Sequence, residues 1–160
     1  MKEHTSVSLR PVTQEDDRIL YEWSNSDLVR SVSLSTSKFS WESHQKWFRK
    51  CLKDQKCTIF VGMNVKEEPI GQIRFNQTDE LNAEVHVNIN PDLIGQGLGT
   101  ALIQIGTEKY FSVTNTLYIT ALVLESNMAS INAFNKANYI YQSDVWINKI
   151  KTLKLVRRRS

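Results

Sequence analysis

The chain has 160 residues, 41% of them hydrophobic and 23% charged, with a formal net charge of +3 at pH 7. That length and composition suit one globular domain with a core of its own and exclude a disordered, fibrous or membrane-embedded chain. Much of the positive excess lies in one tail, Lys149, Lys151, Lys154, Arg157, Arg158 and Arg159, which reads as a solvated end, or local help for an anionic ligand, rather than a nucleic-acid surface.

In chain order, Val7 to Val12 reads as a first strand. Thr13 caps a helix with Asp16 as the capping-box acid, and Ile19, Leu20 and Trp23 form its inner stripe. Asn25 and Asp27 break that helix, and Leu28 to Ser33 makes a short further turn. A Ser/Thr-rich loop, Ser33 to Ser40, leads to a helix capped by Ser40, in which His44, Trp47, Phe48, Cys51 and Leu52 recur at helical spacing. Thr58 to Asn64 and Glu68 to Asn76 read as a hairpin about Val65-Lys66-Glu67. A polar turn, Gln77 to Asn82, precedes an alternating stretch: Val85, Val87 and Ile89 point one way, Glu84, His86 and Asn88 the other. Pro91, which has no N–H to donate, ends that strand. Gly95, Gly97 and Gly99 then alternate with Gln96 and Leu98 before an apolar helix running to about Phe111. Leu117 to Leu124 is apolar enough for a strand buried on both faces. Asn127 opens a last helix through Ala137, and Tyr139 to Tyr141 and Val145 to Val156 supply closing strands. The order β-α-α-β-β-β-α-β-α-β-β describes an α/β layout with a mixed sheet, in a single domain over residues 1–160 without linker or repeat.

Cys51 and Cys57 form no CxxC, and with the scattered His4, His44 and His86 they make no zinc site. The simplest state is two reduced thiols in a cytosolic protein. No apolar run has the length of a membrane span, and the start Met-Lys-Glu-His-Thr-Ser lacks the apolar region of a signal peptide. The expectation is a cytoplasmic protein with soluble partners, no membrane, no nucleic acid and no metal, with a homodimer left open.

A strand, a glycine-dense turn and a helix start make a phosphate site, because unspent backbone N–H groups and the helix dipole favour an anion there. The spacing is not that of a Walker loop, since no Lys follows Gly99. It is not a dinucleotide fingerprint either, since Thr100 occupies the third glycine position. Gly-x-Gly-x-Gly after a strand resembles the pyrophosphate loop of the GNAT superfamily of acyl-CoA-dependent N-acyltransferases, usually Arg/Gln-x-x-Gly-x-Gly/Ala. Gly97 and Gly99 match, and Ile94 stands where Arg or Gln is usual. Further on, Asn127, Ser130, Phe134, Lys136, Asn138 and Tyr139 resemble the superfamily's Asn-x-x-Ala/Ser-x-x-x-Tyr-x-Lys-x-Gly-Phe. The resemblance covers roughly Val7 to Tyr141. It implies the GNAT fold, with helices on both faces of a mostly antiparallel sheet and two central strands splayed into a V that admits acetyl-CoA. It also implies cofactor contacts at Val87, Asn88, Ile89, Gly95, Gln96, Gly97, Leu98, Gly99, Thr100, Asn127 and Phe134. Phe134 replaces the Tyr that commonly protonates the leaving thiolate, which shifts that role to Ser130, Tyr139 or water.

In the first half, Trp23-Ser-Asn25-Ser-Asp27-x-x-Arg30, Ser40-Trp-Glu-x-His44-x-x-Trp47-Phe48 and Ile70-Gly71-Gln-Ile-Arg74-Phe75 are similar to N-acetyltransferases of nucleotide-linked amino sugars, the pseudaminic-acid type. Acetyltransferases of ribosomal-protein N-termini and of aminoglycosides carry related Trp and Asn residues. A direct transfer needs a proton acceptor for the amine, for which Glu84 and then His86 are the candidates, each also readable as an ordinary solvent-facing strand residue. Arg74 and Arg30 are candidates for an anionic part of the substrate. Phe48 and, less so, Trp47 could stack a base, and Asn25 and His44 could touch the acceptor. A non-catalytic acyl-CoA-binding module is the reading outside the enzymes.

Overall fold

The computed structural model describes residues 6–160; His4 and the polar start lie outside the described residues. The order is β1 (Ser8–Pro11), α1 (Asp17–Ser24), α2 (Asp27–Ser31), α3 (Trp41–Lys53), β2 (Cys57–Met63), β3 (Pro69–Gln77) and β4 (Asn82–Ile89), then α4 (Leu98–Val113), β5 (Tyr118–Leu124), α5 (Met128–Lys136), β6 (Ile140–Ile147) and β7 (Ile150–Arg158). One seven-stranded sheet, ordered β1-β2-β3-β4-β5-β7-β6, carries all the helices. Every neighbouring pair is antiparallel except β4–β5.

Alternation along the strands divides the sheet into two faces. Ile73, Phe75 and Val85 point toward α4 and join Leu102, Ile103 and Tyr110 in the main core, to which Ile131, Phe134 and Tyr139 also belong. Gly106 is what lets α4 lie this close, since a Cβ there would sit 2.8 Å from Ile73. Gln72, Arg74, His86 and Asn88 point the opposite way, toward α1–α3. Those three helices have a smaller core of Leu20, Trp23, Phe48, Cys51 and Ile59.

The start of the chain is fixed as its capping box implies, although Thr13 caps a single 3-10 turn that runs into α1. The Asp16 carboxylate accepts the Thr13 N–H at 2.8 Å and a two-pronged bond from Arg10 at 2.7 and 2.8 Å. The short turn after Asn25 is a separate helix, α2, capped by Ser26.

Four expectations change. Cys51 and Cys57 are not free thiols but form a disulfide, with Cα atoms 5.6 Å apart. The reason is local: the turn from α3 to β2 folds back so tightly that both side chains meet at the smaller core. β5 is not buried on both faces, for only Ile119, Ala121 and Val123 are buried. The closing strands meet at Asn148-Lys149, both with positive φ (51° and 63°), the backbone that a two-residue hairpin turn demands. Without a glycine there, the turn is invisible to composition. Finally, the basic tail is no solvated end, because β7 is inserted between β5 and β6.

Arg159, just past β7, donates to the carbonyls of Phe111 and Thr116 at 2.8 Å and to that of Thr114. Its guanidinium also lies 5.0 Å from the Phe111 ring. It thus satisfies carbonyls that the end of α4 cannot pair for itself, and it brings positive charge to the negative helix end. Among the described residues no helix is long and apolar enough to cross a membrane.

Arg159→Ala should lower stability by about 2–3 kcal/mol, the scale of losing hydrogen bonds to a charged group. Arg159→Lys should recover part of the loss. Urea unfolding with an unchanged m-value checks this through the shift in midpoint.

Candidate active site

β4 and β5 run side by side only where Asn82, Ala83 and Glu84 face Tyr118, Ile119 and Thr120. Beyond Glu84 the strands part. Backbone groups of residues 85–89 that point toward β5 therefore have no ladder partner there, and such groups require one from elsewhere. A cavity of about 880 Å³ opens in the gap and extends under α2 and α3. Its walls are Val85–Ile89 of β4, Ala121–Leu124 of β5, the glycine turn, the start of α5, and residues of α2, α3 and the loop between them.

At one end the glycine turn enters α4. Gly95 and Gly97 have φ of +89° and +77°, and Gly97 is the N-cap of α4. Open space surrounds both, so glycine is needed there for the left-handed backbone and not for room. The first N–H groups of α4 point out of the helix with no acceptor within it, a ready site for phosphate. Asn127 caps α5, its side-chain oxygen accepting the Ser130 N–H at 3.3 Å, and it borders the cavity.

The other end is cationic. Arg74 on β3 lies against Trp47 of α3, 4.8 Å from the ring centroid, and its buried Nε has no hydrogen-bond partner. Burial draws the guanidinium down to about 10, with the charge of Glu84 working the other way. Arg30 of α2 spends its Nη groups on the Ser35 carbonyl (3.0 Å) and the Ser33 hydroxyl (3.3 Å), while its buried Nε is also unpartnered. Among the described residues no Asp or Glu side chain belongs to the cavity lining. His86 does, and it is open to the cavity over 43% of its side chain. What surrounds that opening is protein, so burial followed by the Arg74 charge pushes it down to about 4. The ring is therefore neutral at pH 7. Ser24 ties α1 to the cavity floor, accepting from Gln72 at 3.3 Å and from Asn88 at 3.2 Å.

A model of the acetyltransferase (GNAT) domain matches residues 6–139 of this chain. The chain belongs to the GNAT family. Among curated relatives, spermidine N(1)-acetyltransferase of Escherichia coli is 22% identical over 142 residues, 88% of this chain and 76% of that one. Solved structures give the same architecture. An aminoglycoside acetyltransferase, AAC(6')-Ib, in complex with coenzyme A and kanamycin has a TM-score of 0.82 at 24% identity, covering 96% of this chain and 95% of that one. A spermidine N-acetyltransferase from Vibrio cholerae with CoA and spermine reaches 0.85 at 18% identity, covering 95% of each. At such identities the likeness is one of fold. The GNAT enzyme is an acetyl-CoA-dependent N-acetyltransferase, and the splayed V expected of this fold is the gap between β4 and β5. Among the described residues no cluster of His, Cys, Asp or Glu is gathered to hold a metal ion.

Most residues singled out from the sequence line this one cavity. Val87, Asn88, Ile89, Gly95, Gly97, Leu98, Gly99, Thr100, Asn127, Ser130 and Phe134 border the part that suits the acyl donor, and Arg30, His44, Arg74 and His86 the rest. Gln96 points away, its side chain outside the lining. Glu84 is also outside it, behind His86, with Oε1 3.9 Å from Nε2.

Three acceptor-side candidates have packing or hydrogen-bonding roles in the fold. Phe48 is fully buried in the smaller core, and the adjacent Trp47 is the aromatic of α3 that lines the cavity. Asn25 is a turn residue whose side chain exchanges two hydrogen bonds with the Phe39 backbone. His44 borders the cavity, but it is only 3% exposed, and its Nε2 is hydrogen-bonded to the Asp17 carbonyl at 3.0 Å with the Asp17 carboxylate 2.8 Å away. Tyr139 also drops out as an acid: it is buried, its hydroxyl is bonded to Thr107 at 2.8 Å, and burial pushes its pKa up. Ser24 and Gln72 went unread, although Gln72 shares the face of Arg74 two residues along β3.

Gly97→Ala should weaken acetyl-CoA binding by roughly 5–30-fold, the equivalent of the 1–2 kcal/mol that a Cβ costs in the left-handed region. Calorimetric titration with acetyl-CoA measures the change, with unfolding midpoints as the control for stability.

Proposed function

We propose that this enzyme acetylates the amino group of a small acceptor that also carries an anionic group, best matched by a nucleotide-linked amino-deoxy sugar. The observation that carries this reading is the charge of the acceptor end. Two guanidiniums face it with buried, unpartnered Nε groups, and among the described residues no carboxylate lines it. A buried donor without an acceptor is costly, and a phosphate or carboxylate is the group that guanidinium recognises best. A polycation such as the spermine or kanamycin held by the structural neighbours would meet like charge here with nothing to offset it. The flat indole of Trp47 beside Arg74 gives a nucleobase a surface to stack on.

The chemistry is direct attack on the acyl donor, with no covalent enzyme intermediate. Val87–Ile89 orient the donor through their unpaired backbone groups, and a backbone N–H near Asn88 or Ile89 stabilises the oxyanion. The glycine turn and the start of α4 hold its phosphates. His86, neutral and in the cavity, takes the ammonium proton, with Glu84 behind it to share the charge. This inverts the order of the two candidates read from the sequence. Phe134 has no proton to give, so the Ser130 hydroxyl, or water, meets the thiolate, which as a thiol with a pKa near 8.5 is a tolerable leaving group.

A screen of CoA release separates the readings. Turnover is expected with a UDP-linked amino sugar and not with spermidine or kanamycin. The reverse preference overturns the anionic acceptor, and turnover with a peptide N-terminus alone moves the enzyme to the protein N-terminal class. CoA binding without turnover on a broad amine panel would leave a binding module. Arg74→Gln should raise KM for the anionic acceptor by about tenfold or more, a hydrogen bond to a charged group being worth roughly 1.5–3 kcal/mol, and leave KM for acetyl-CoA near its original value. Ser130→Ala should lower kcat by roughly tenfold, below the usual general-acid range because the leaving thiol needs little help.

A further inference from the structure

Arg74 and His86 are direct cross-strand partners in the β3–β4 register, on the face that floors the cavity. Side chains so placed are neighbours. The other charged or titratable groups facing the His86 ring are few. Glu84 lies on the same strand, 3.9 Å away. In the helical layer, Arg30 of α2 and His44 of α3 line the same cavity, the latter tied to Asp17. The β5 and α5 walls contribute none. Of these, Arg74 is the cation whose charge acts on the imidazole, and Glu84 is the nearest anion. Arg74 is held in place by Trp47 and not by a counterion, and its Nε is unpartnered.

We propose that Arg74 is a positioning residue that makes proton uptake at His86 depend on the acceptor's own anion. With the guanidinium uncovered, its charge opposes a second positive charge on the ring. With a phosphate or carboxylate seated on it, the cation is cancelled and Glu84 becomes the dominant charge beside the imidazole. The proton then leaves the acceptor's ammonium for the free ring nitrogen of His86, which leaves a neutral amine with its lone pair ready for the thioester carbon. Nothing else is consumed or released in that step. An amine of the same shape but without the anion would lose kcat as well as affinity. The inference rests on the anionic-acceptor reading, but its test does not use turnover.

The test follows the His86 ring by NMR through a pH titration of the CoA-saturated protein, so that the glycine turn is already filled. It is run with and without inorganic phosphate at constant ionic strength. Phosphate is expected to raise the His86 midpoint by about one unit or more, the scale of cancelling a neighbouring like charge. In Arg74→Gln the midpoint should start higher and no longer respond, and in Arg74→Lys, which keeps the charge, the response should persist. The His44 ring signals serve as an internal check that each variant is folded. A midpoint indifferent to phosphate in the unmodified protein overturns the proposal whatever the variants do. So does an equal response in Arg74→Gln, or an Arg74→Lys protein that behaves like Arg74→Gln. If the coupling fails while the UDP-linked amino sugar is still acetylated, the function stands without it; if no anionic amine is acetylated but the midpoint moves, the function fails alone.

Discussion

The site depends on one constraint: a sheet must pair its backbone groups, and this sheet stops doing so between β4 and β5 after Glu84. Everything up to that point is ordinary ladder. Past it, alternate residues of β4 between Val85 and Ile89 turn unmet donors and acceptors to a gap walled by Leu122 and Leu124. Buried amides without partners cost too much to be left so, and an extended chain with amide groups of its own would complete the pairing. The pantetheine arm of acetyl-CoA is such a chain. The glycine turn completes the arrangement, because the strand that loses its neighbour runs straight into the loop whose N–H groups suit phosphate.

The acceptor end follows from alternation along β3 and β4. The same period of two that sends Ile73, Phe75 and Val85 into the core sends Arg74 and His86 the other way, under the layer of α1–α3. That layer is stiff. Tyr21, Phe39, Trp41, Trp47 and Phe48 surround the His44 ring, and its bonds to Asp17 link α3 to the start of α1. The result is a cationic pocket whose charges are fixed by packing. Side chains held by packing keep their geometry whether or not a ligand is present, so less ordering is needed when one binds.

How much of this was legible depends on what each residue's role rests on. The strand β4, the glycine turn and α4 were readable because their signals are local: alternation, positive-φ glycines, an apolar helix after a cap. The residues expected around the acyl donor lie largely on those elements, which is why most of them line one cavity. Trp47 and Phe48 show the limit, since periodicity tells that both lie on one side of α3 and not which of two adjacent residues meets the core. The turn at Asn148-Lys149 and the disulfide were missed for a related reason. The first adopts a backbone that its residue types seldom signal, and the second depends on how sharply α3 turns into β2. The tail misled because its Lys and Arg residues say charge, whereas their roles come from partners about fifty residues away, as with Arg157 on Glu108 at 2.8 Å. Glu84 and His86 share a strand face, so alternation does not separate them, and only His86 reaches the cavity lining.

The place of β7 bears on how the molecule is made. It is the last strand in sequence, yet it lies inside the sheet, with β5 on one side and β6 on the other. A nascent chain can therefore assemble β1 to β5 while the ribosome is still at work, but β6 has no seat until the strand after it has emerged. Until then the open flank of β5, next to the acyl-donor gap, is an exposed edge of the kind that recruits other strands. Quick docking of β7 beside β5 would shorten the time for which newly made copies can stick to one another.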